Sequence, residues 1–274
     1  MSDGGIEKTA VDYWEGLWAE AGAAPAAGTD GFRRTQVEVW FDELFARVLA
    51  GRGSGTRLLE IGCARSVWLP RFARRFGFDV SGIDYSPVGC AQTREMLDAA
   101  GVDGRVVCAD FFSPPDWMRG SFDVVVSFGV VEHFDDAAAA LSALADFLAA
   151  GGTMITIIPN VRGSIGLIQK LFNPVVLDLH VPLGPRELAD AHRRAGLANA
   201  RSGYFVSTNF GVVNLHGLDG RSLTTRVKSV ISLGLARLSQ VVWLVEQTSR
   251  IRLPARRAWA GYVVCVGDRP QGRE

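Results

Sequence analysis

The sequence has few cysteines, no net charge and no long uninterrupted hydrophobic run. Its four cysteines, Cys63, Cys90, Cys108 and Cys265, form no CxxC pair and no Cys/His ligand spacing. This excludes a disulfide framework and a zinc site, and it favours a reducing, cytoplasmic location. Lysine plus arginine equals aspartate plus glutamate at 29 each, so no overall field attracts nucleic acid or an anionic membrane. We therefore expect neither as a partner.

The first residues contain no apolar stretch after a basic start, which argues against a secretory signal. The longest apolar-rich run, residues 227–245, is interrupted by Lys228, Arg237 and Gln240. That pattern predicts an amphipathic helix and not a membrane span. With 274 residues, 48% of them hydrophobic, the chain can bury a large core.

Short apolar runs alternate with helical patterns through the middle of the chain. The runs predict buried strands at 57–61, 79–83, 105–109, 122–128 and 153–159. Helices are predicted between them at 67–76, 87–100 and 136–149. This βαβ alternation is typical of a doubly wound parallel sheet. A helix at 185–196 and strands at 200–207 and 261–267 follow.

Four regions are expected along the chain. Residues 1–52 form an N-terminal helical lid, with a helix at 34–50 and a small-residue link at 21–31; residues 53–207 form the core. Residues 208–258 are an insertion too long for a hairpin loop and are predicted to be a helical cap. Residues 259–274 supply the last strand and a tail.

The loop after the first strand lacks most glycines of a dinucleotide site. Aligned from Gly62, a G-x-G-x-x-G loop would place glycines where Ala64 and Val67 stand. A diphosphate would meet the Cβ of Ala64. Gly62 still permits a tight turn at the carboxyl end of a buried strand, where open α/β sheets bind ligands. The loop thus predicts a ligand without a diphosphate.

The blocks LLEIGCARS, VSGIDYS, VCADFF, FDVVVSFGVVEHF and LAAGGTMITIIPN resemble, in order and spacing, those of class I S-adenosylmethionine-dependent methyltransferases. The resemblance covers residues 56–160. It implies an α/β fold with a doubly wound, mostly parallel seven-stranded sheet and helices on both faces. The N-terminal lid helix and the helical insertion before the last strand complete the expected architecture. The cofactor implied is S-adenosylmethionine, with S-adenosylhomocysteine as product.

The resemblance also assigns the cofactor site. Asp84 would accept hydrogen bonds from the ribose hydroxyls. Alternatively, Asp84, the first residue of DYSP, would cap the helix that follows. Asp110 would bond the adenine amino group, and Phe111 or Phe112 would cover the ring or belong to the core. The remaining expected cofactor contacts are Tyr85 and Ser86 at the ribose and adenine, Glu60, Gly62, Cys63 and Ala64 at the methionine end, and Phe128 and Gly129 closing over it.

Three of the four histidines are candidate general bases, because an imidazole can accept a proton near neutral pH. His133 follows the fourth strand, His180 lies in the segment after the fifth, and His216 belongs to the insertion. His192, in a helix, is expected to face solvent. Asp178, His180, Glu132 and His133 are conceivable metal ligands, but they lack regular ligand spacing, so we expect no metal.

The acceptor is expected to lie beneath aromatic residues at the N-terminus. Tyr13, Trp14 and Trp18 have helical spacing and would form a lid, or pack on the sheet; Asn160 and His180 are the other expected substrate contacts. The apolar stripe of the insertion would cover substrate or pair with a second subunit as a homodimer. Residues 221–257 hold eight basic side chains and one acid, Glu246, which indicates a solvated face, or binding of an anionic substrate or RNA.

These features predict a methyltransferase that acts on a small organic acceptor in secondary metabolism, with oxygen favoured over nitrogen or carbon. The NPPY motif of enzymes that methylate nucleic-base amino groups is absent, with SFGV in its place. Two alternatives remain: an RNA or protein methyltransferase, and a non-catalytic nucleotide-binding protein.

Overall fold

The fold is built on one seven-stranded sheet in the order β3-β2-β1-β4-β5-β7-β6. The computed structural model describes residues 8–9, 11–20 and 36–271. Strands β1 to β5 are parallel, and β7 runs antiparallel to both β5 and β6. The strands are β1 Arg57–Ile61, β2 Asp79–Asp84, β3 Gly104–Cys108, β4 Phe122–Phe128, β5 Leu148–Pro159, β6 Ala198–Phe205 and β7 Tyr262–Asp268. The predicted mostly parallel seven-stranded sheet is confirmed.

Helices cover both faces of the sheet, because alternate strand residues are apolar and buried on opposite sides. Leu58 and Val124 pack with Phe45 and Phe72, whereas Leu59 and Val125 pack in a second core. That second core contains Leu141 of α5 and Leu188 of α8. The helices are α1 Val11–Glu20, α2 Gln36–Val48, α3 Trp68–Phe76, α4 Pro87–Ala99, α5 Ala137–Ala145, α6 Ser164–Phe172, α7 Pro174–Asp178, α8 Pro185–Arg194 and α9 Leu223–Ser249.

Two elements differ from the sequence-based prediction. Helix α5 ends at Ala145 and β5 begins at Leu148, earlier than expected, because the β4–β5 register shifts between Phe122 and Val124 and Gly151 takes φ +74°. The segment after β5, expected to be irregular, contains α6 and α7. The link at 21–31 and the last three residues lie outside the described part of the chain.

His192 was expected to face solvent, and this is wrong. Its side chain is fully buried, and its Nε2 lies 3.0 Å from the Thr156 hydroxyl of β5. Burial lowers the pKa of His192 to about 4. The residue is therefore a neutral histidine that joins α8 to the sheet.

One helix among the described residues, α9, is long and apolar enough to cross a membrane by length and composition alone. Only 17% of its most apolar window is buried. This criterion is weak for a single helix, since a core helix can also satisfy it.

Candidate active site

A cavity of about 470 Å³ opens at the carboxyl ends of the central strands. The strand order reverses here, because β1 is flanked by β2 on one side and β4 on the other. Open α/β sheets bind ligands at this kind of switch point. The sequence-predicted residues that line it are Trp14, Trp18, Glu60, Gly62, Ala64, Asp84, Tyr85, Phe111, Phe128, Gly129, His133 and His180.

The loop after β1 turns at Gly62, which has φ +70°. A Cβ at Gly62 would lie 2.6 Å from Val130 Cγ2, so this glycine is required both by conformation and by space. Ala64, which replaces the usual second glycine, faces Gly89 on α4. A Cβ on Gly89 would lie 2.5 Å from the Ala64 Cβ. A glycine on the facing helix therefore makes room for the side chain that the loop carries.

This pairing predicts a rescue. Gly89→Ala should destabilise the protein by about 1–3 kcal/mol, because its methyl group would overlap the Ala64 methyl group in a packed region. Adding Ala64→Gly should recover most of that loss. Urea unfolding of the two single variants and the double variant measures the coupling. Strictly additive effects would show that Gly89 does not accommodate Ala64.

Asp84 ends β2 with its carboxylate at the cavity. Its Oδ2 accepts a hydrogen bond from the Ala64 N–H at 3.0 Å, and its Oδ1 accepts one from the Ser86 N–H at 2.8 Å. The cap of α4 is Ser86, whose hydroxyl accepts from the Gly89 N–H at 3.0 Å. Asp84 thus shapes the loop, while each carboxylate oxygen retains capacity for a further donor.

A second carboxyl group, Glu60, lies in the cavity wall at the end of β1. Burial and, to a smaller extent, the nearby Asp84 charge raise the pKa of Glu60 to about 8, although the hydrogen bond from the Ser66 hydroxyl lowers it. Ser66 also accepts from the N–H groups of Trp68 and Leu69. Glu60 is therefore held in place by the first turn of α3, and a cationic ligand would favour its ionised form.

Two histidines meet at the cavity wall. The ring centroids of His133 and His180 are 4.7 Å apart. His133 Nδ1 lies 2.9 Å from the Leu179 carbonyl, and His180 Nδ1 lies 2.7 Å from the Val176 carbonyl. A carbonyl only accepts, so each Nδ1 carries the hydrogen and each Nε2 is left as an acceptor. Burial lowers the pKa of both, to about 4 for His133, so both rings are neutral at pH 7.

Glu132 is buried beside this pair. Both of its carboxyl oxygens are buried without a hydrogen-bond partner, and burial raises its pKa to about 8. Ligand atoms of Glu132, His133 and His180 lie within 4.8 Å of one another. One carboxylate and two imidazoles can hold a divalent transition metal. The three residues were noted in the sequence, but only the turn after β4 and the end of α7 bring them together.

Glu132 gives the protein a pH-dependent stability. A carboxyl whose pKa rises from 4.5 unfolded to about 8 folded stabilises the fold fully below pH 4.5, and this contribution is lost as the pH rises through 8. Glu132→Gln should therefore raise the free energy of unfolding by about 2 kcal/mol or more near pH 8 and change it little near pH 5. Urea titrations at both pH values measure this. Glu95→Gln, on an exposed part of α4, is the matched control, and an equal effect at both pH values would contradict the assignment.

The N-terminal helix α1 covers one side of the cavity. Trp14 packs edge-to-face on His133 with centroids 5.2 Å apart and stacks on Trp18 at 5.9 Å. Glu15 accepts from the Ser86 hydroxyl at 2.5 Å, which ties α1 to α4. Tyr13, expected at the substrate, is not part of the cavity wall; its ring packs on Trp14 at 5.1 Å and on His216 at 5.5 Å.

Other predicted site residues also lie outside the wall. Asn160 is buried and donates through Nδ2 to the carbonyls of Arg257 and Ala260, 2.9 Å from each, so it fixes the chain before β7. His216 Nδ1 lies 3.0 Å from a Glu20 carboxylate oxygen, because the insertion folds over α1 and not over the cavity at that point. Both residues support the site from outside it.

Of the residues predicted to contact adenine, the ribose or the methionine end, some line the cavity and others do not. Asp110 is exposed, and its Oδ1 accepts from the Phe112 N–H at 2.9 Å. Phe111 is buried and lines the cavity, while Phe112 lies behind it with ring centroids 4.4 Å apart. Cys63 and Ser86 are fully buried and do not reach the cavity. Cys63 packs in the core with Leu58 and Leu69, and the Ser86 hydroxyl is occupied by Glu15 and the Gly89 N–H.

The cavity wall also contains residues absent from the sequence-based site. Trp68 stacks on Phe128 with centroids 5.1 Å apart and planes 3° apart. Tyr262 of β7 accepts from the Asn209 amide at 2.9 Å, and burial raises its pKa to about 12. Val212, from the insertion at 208–258, also lines the cavity. A signal for Tyr262 was available, since it pairs with Pro159 at the carboxyl end of β5.

Comparison with known proteins decides the family. A family model described as a methyltransferase domain matches residues 32–202. The chain belongs to this family. The match confirms the expected class I S-adenosylmethionine-dependent methyltransferase and its cofactor.

Curated relatives include ubiquinone biosynthesis O-methyltransferases from Marinobacter nauticus and Cereibacter sphaeroides. The first is 29% identical over 53% of this chain and 64% of its own length, and the second 31% identical over 52% and 60%. The chain therefore matches less than two thirds of each. Among solved structures, the [4+2]-cyclase SpnF covers 99% of both chains with a TM-score of 0.62 and 16% identity. A geranyl diphosphate C-methyltransferase from Streptomyces coelicolor covers 90% of this chain and 89% of its own, with a TM-score of 0.56 and 17% identity. These two show the fold only.

Proposed function

We propose that this methyltransferase moves a methyl group from S-adenosylmethionine to a hydroxyl oxygen of a small organic acceptor. The observation that carries the proposal is the pair of neutral imidazoles at the cavity, each with a free Nε2 acceptor. A hydroxyl must lose a proton when it is methylated, and a positioned neutral histidine can accept it. The names of the curated relatives, ubiquinone biosynthesis O-methyltransferases, support oxygen as the acceptor atom.

The wall on the β1–β2 side fits the cofactor. Asp84 presents a carboxylate for the two ribose hydroxyls, and Gly62 brings backbone close to the cavity. Glu60, held by Ser66, suits the cationic amino group of the methionine end. Arg65 also lines the cavity and is placed to pair with the methionine carboxylate. When bound, S-adenosylmethionine supplies an electrophilic methyl group on a sulfonium ion and leaves as S-adenosylhomocysteine.

His180 is the proposed base. It is less deeply buried than His133 and its Nδ1 donates to the Val176 carbonyl, which fixes the ring with Nε2 as acceptor. His180 Nε2 takes the proton of the acceptor hydroxyl as the oxygen forms its bond to the methyl carbon. His133 orients the pair through its contact with the Leu179 carbonyl and the edge of Trp14.

Helix α1 is proposed to act as a lid. Trp14 and Trp18 contribute apolar surface to the cavity wall, and the Glu15 bond to Ser86 holds the helix in place. Exclusion of water matters because methyl transfer is a displacement that depends on alignment of the two reacting atoms. The acceptor would lie in the cavity that Trp14, Trp18 and the histidine pair line together.

Mass spectrometry tests the proposed reaction. Purified protein is incubated with candidate acceptors and S-adenosylmethionine that carries a trideuterated methyl group. The expected product contains one labelled methyl on oxygen, and candidates whose hydroxyl is already blocked should give none. Labelling on nitrogen or carbon instead, or the same labelling of blocked acceptors, would overturn the assignment of oxygen.

The proton mechanism also predicts independence from metal. The proposed transfer needs only an acceptor for the hydroxyl proton, which His180 Nε2 supplies, and so requires no metal ion. Turnover should be unchanged after dialysis against EDTA. Loss of turnover that Mg²⁺, Mn²⁺ or Zn²⁺ restores would instead make Glu132, His133 and His180 a metal site.

None of the basic residues of 221–257 lines the cavity. This favours a small acceptor over RNA or protein. An RNA substrate would give affinity that falls steeply with salt. The composition, rich in arginine, alanine and glycine, is typical of high-GC actinobacteria and favours a role in secondary metabolism.

A further inference from the structure

Helix α9 turns polar side chains toward the domain and apolar side chains toward solvent, the reverse of an ordinary surface helix. The residues that pack on the domain are polar or amphipathic: Ser239, Trp243 and Glu246. The Ser239 hydroxyl accepts from the Phe210 N–H at 3.0 Å, and the Trp243 indole donates to the Thr208 carbonyl at 2.8 Å. Glu246 accepts from the Ser207 hydroxyl at 2.9 Å. The inner side of α9 is thus held by hydrogen bonds.

The opposite side of α9, here called the outer face, is apolar and uncovered. At about 100° per residue, its apolar side chains lie on the side of the helix away from Ser239 and Trp243. They are between 46% and 76% exposed. The outer face consists of Leu223, Val227, Val230, Ile231, Leu233, Leu238, Val241, Leu244 and Val245. A contiguous exposed apolar surface of this length marks an interaction site.

Neighbouring elements extend this surface. Lys228 donates to the Phe172 carbonyl at 2.7 Å, which places the first half of α9 beside the end of α6. Exposed apolar side chains occur on α6 and α7 at Leu167, Leu171 and Val175. Exposed apolar side chains therefore occur on α6 and α7 as well as on α9.

The exposed charges of the segment that contains α9 have one sign. Residues 221–257 contain eight basic side chains, and their one acid, Glu246, is buried against Ser207. Arg226 and Arg237 lie within the angular range of the outer face. In a two-fold pairing of two copies these cations would face each other, which costs free energy. Phospholipid phosphates would instead pair with them.

We propose that the outer face of α9 docks the protein on an anionic phospholipid surface, with the helix in the plane of the interface. The helix lies on the bilayer and does not cross it, because Ser239, Trp243 and Glu246 remain bonded to the domain. The balanced total charge predicted no membrane partner, and Lys228, Arg237 and Gln240 predicted an amphipathic helix and not a membrane span. The structure shows that the total charge does not describe this surface. Lys228 is turned to α6, and the apolar residues of α9 face outward.

Flotation with lipid vesicles tests the proposal. The full chain should float with vesicles of phosphatidylcholine mixed with phosphatidylglycerol, and more weakly with phosphatidylcholine alone. Val230→Gln/Val241→Gln should lower binding to the mixed vesicles at least about tenfold, because two exposed apolar contacts are lost. Gln240→Asn/Gln247→Asn, on the flank of the same helix, is the matched control and should bind as the wild type.

A second pair isolates the charge. Arg226→Gln/Arg237→Gln should lower binding to the mixed vesicles by about tenfold or more and leave binding to phosphatidylcholine unchanged. Binding of S-adenosylhomocysteine should be the same in all variants, which shows that they fold. The proposal is overturned if the wild type floats with neither vesicle, or if the Val230→Gln/Val241→Gln variant floats as well as the wild type. Sedimentation that shows a dimer abolished by that variant, without vesicle binding, would assign the outer face to a second copy.

Discussion

Replacing His180 by alanine is expected to lower kcat by about 10²–10⁴-fold, the range of a lost general base. The affinity for S-adenosylhomocysteine should change by less than about threefold, because His180 contacts His133 and the Val176 carbonyl and is not among the residues proposed to bind the cofactor. His180 is neutral at pH 7, since burial lowers its pKa below 6.5. The wild-type kcat should therefore rise with pH below 6.5 and be level above it, and this rise should be lost in the variant.

His216→Ala is the matched control for that experiment. His216, like His180, is a partly buried histidine. Its partner is the Glu20 carboxylate, and it does not line the cavity. Its replacement should leave kcat nearly unchanged. A His180→Ala variant with normal kcat, or a His216→Ala variant with an equal loss, would remove His180 from the role of base.

Replacing Asp84 by alanine should weaken binding of S-adenosylhomocysteine by about 1.5–3 kcal/mol, the contribution of hydrogen bonds to a charged group. The structure adds a second cause, because the Asp84 carboxylate also accepts the N–H groups of Ala64 and Ser86. The loop should therefore be less well ordered in the variant, and the loss should fall toward the upper part of that range.

Two variants separate these causes. Asp84→Asn keeps one carbonyl oxygen and should recover part of the affinity and most of the thermal stability. Asp79→Ala, at the exposed first residue of the same strand, should alter neither. Calorimetric titration and thermal unfolding of the three variants measure both quantities. Unchanged affinity in Asp84→Ala would show that the ribose hydroxyls bind elsewhere.

The strand ends were predictable from the sequence because parallel strands deliver their carboxyl ends to one edge of the sheet. Gly62 follows β1 and Asp84 ends β2, so their proximity follows from topology alone. The same reasoning predicts that Phe128, Gly129 and His133, at and after the end of β4, lie at this edge, and all three line the cavity. This prediction needed only the positions of the strands along the chain and their parallel direction, which the apolar runs indicate.

Residues one or two positions further along were less predictable. Asp110 and Asn160 also follow strands, but the local turn directs Asp110 to the Phe112 N–H and Asn160 to the segment before β7. The direction of a side chain in a turn depends on backbone angles that the residue types do not determine. His192 was different, since a signal existed: it is four residues from the buried Leu188 and so lies on the same helix face.

The orientation of α9 could not be read from its apolar stripe. A stripe of valine and leucine normally faces a core, and a cap over the substrate or a subunit contact was expected. The helix instead turns Ser239 and Trp243 inward, because the Thr208 carbonyl and the Phe210 N–H need partners there. None of its residues belongs to the cavity wall.

Parallel calorimetric titrations with S-adenosylhomocysteine and NADH decide which ligand the cavity binds. We expect one-to-one binding of S-adenosylhomocysteine, because Gly62, Ala64 and Asp84 form a cavity without the glycines that a diphosphate needs. NADH should produce no saturable heat. Binding of NADH without binding of S-adenosylhomocysteine would show that the cavity is a dinucleotide site instead.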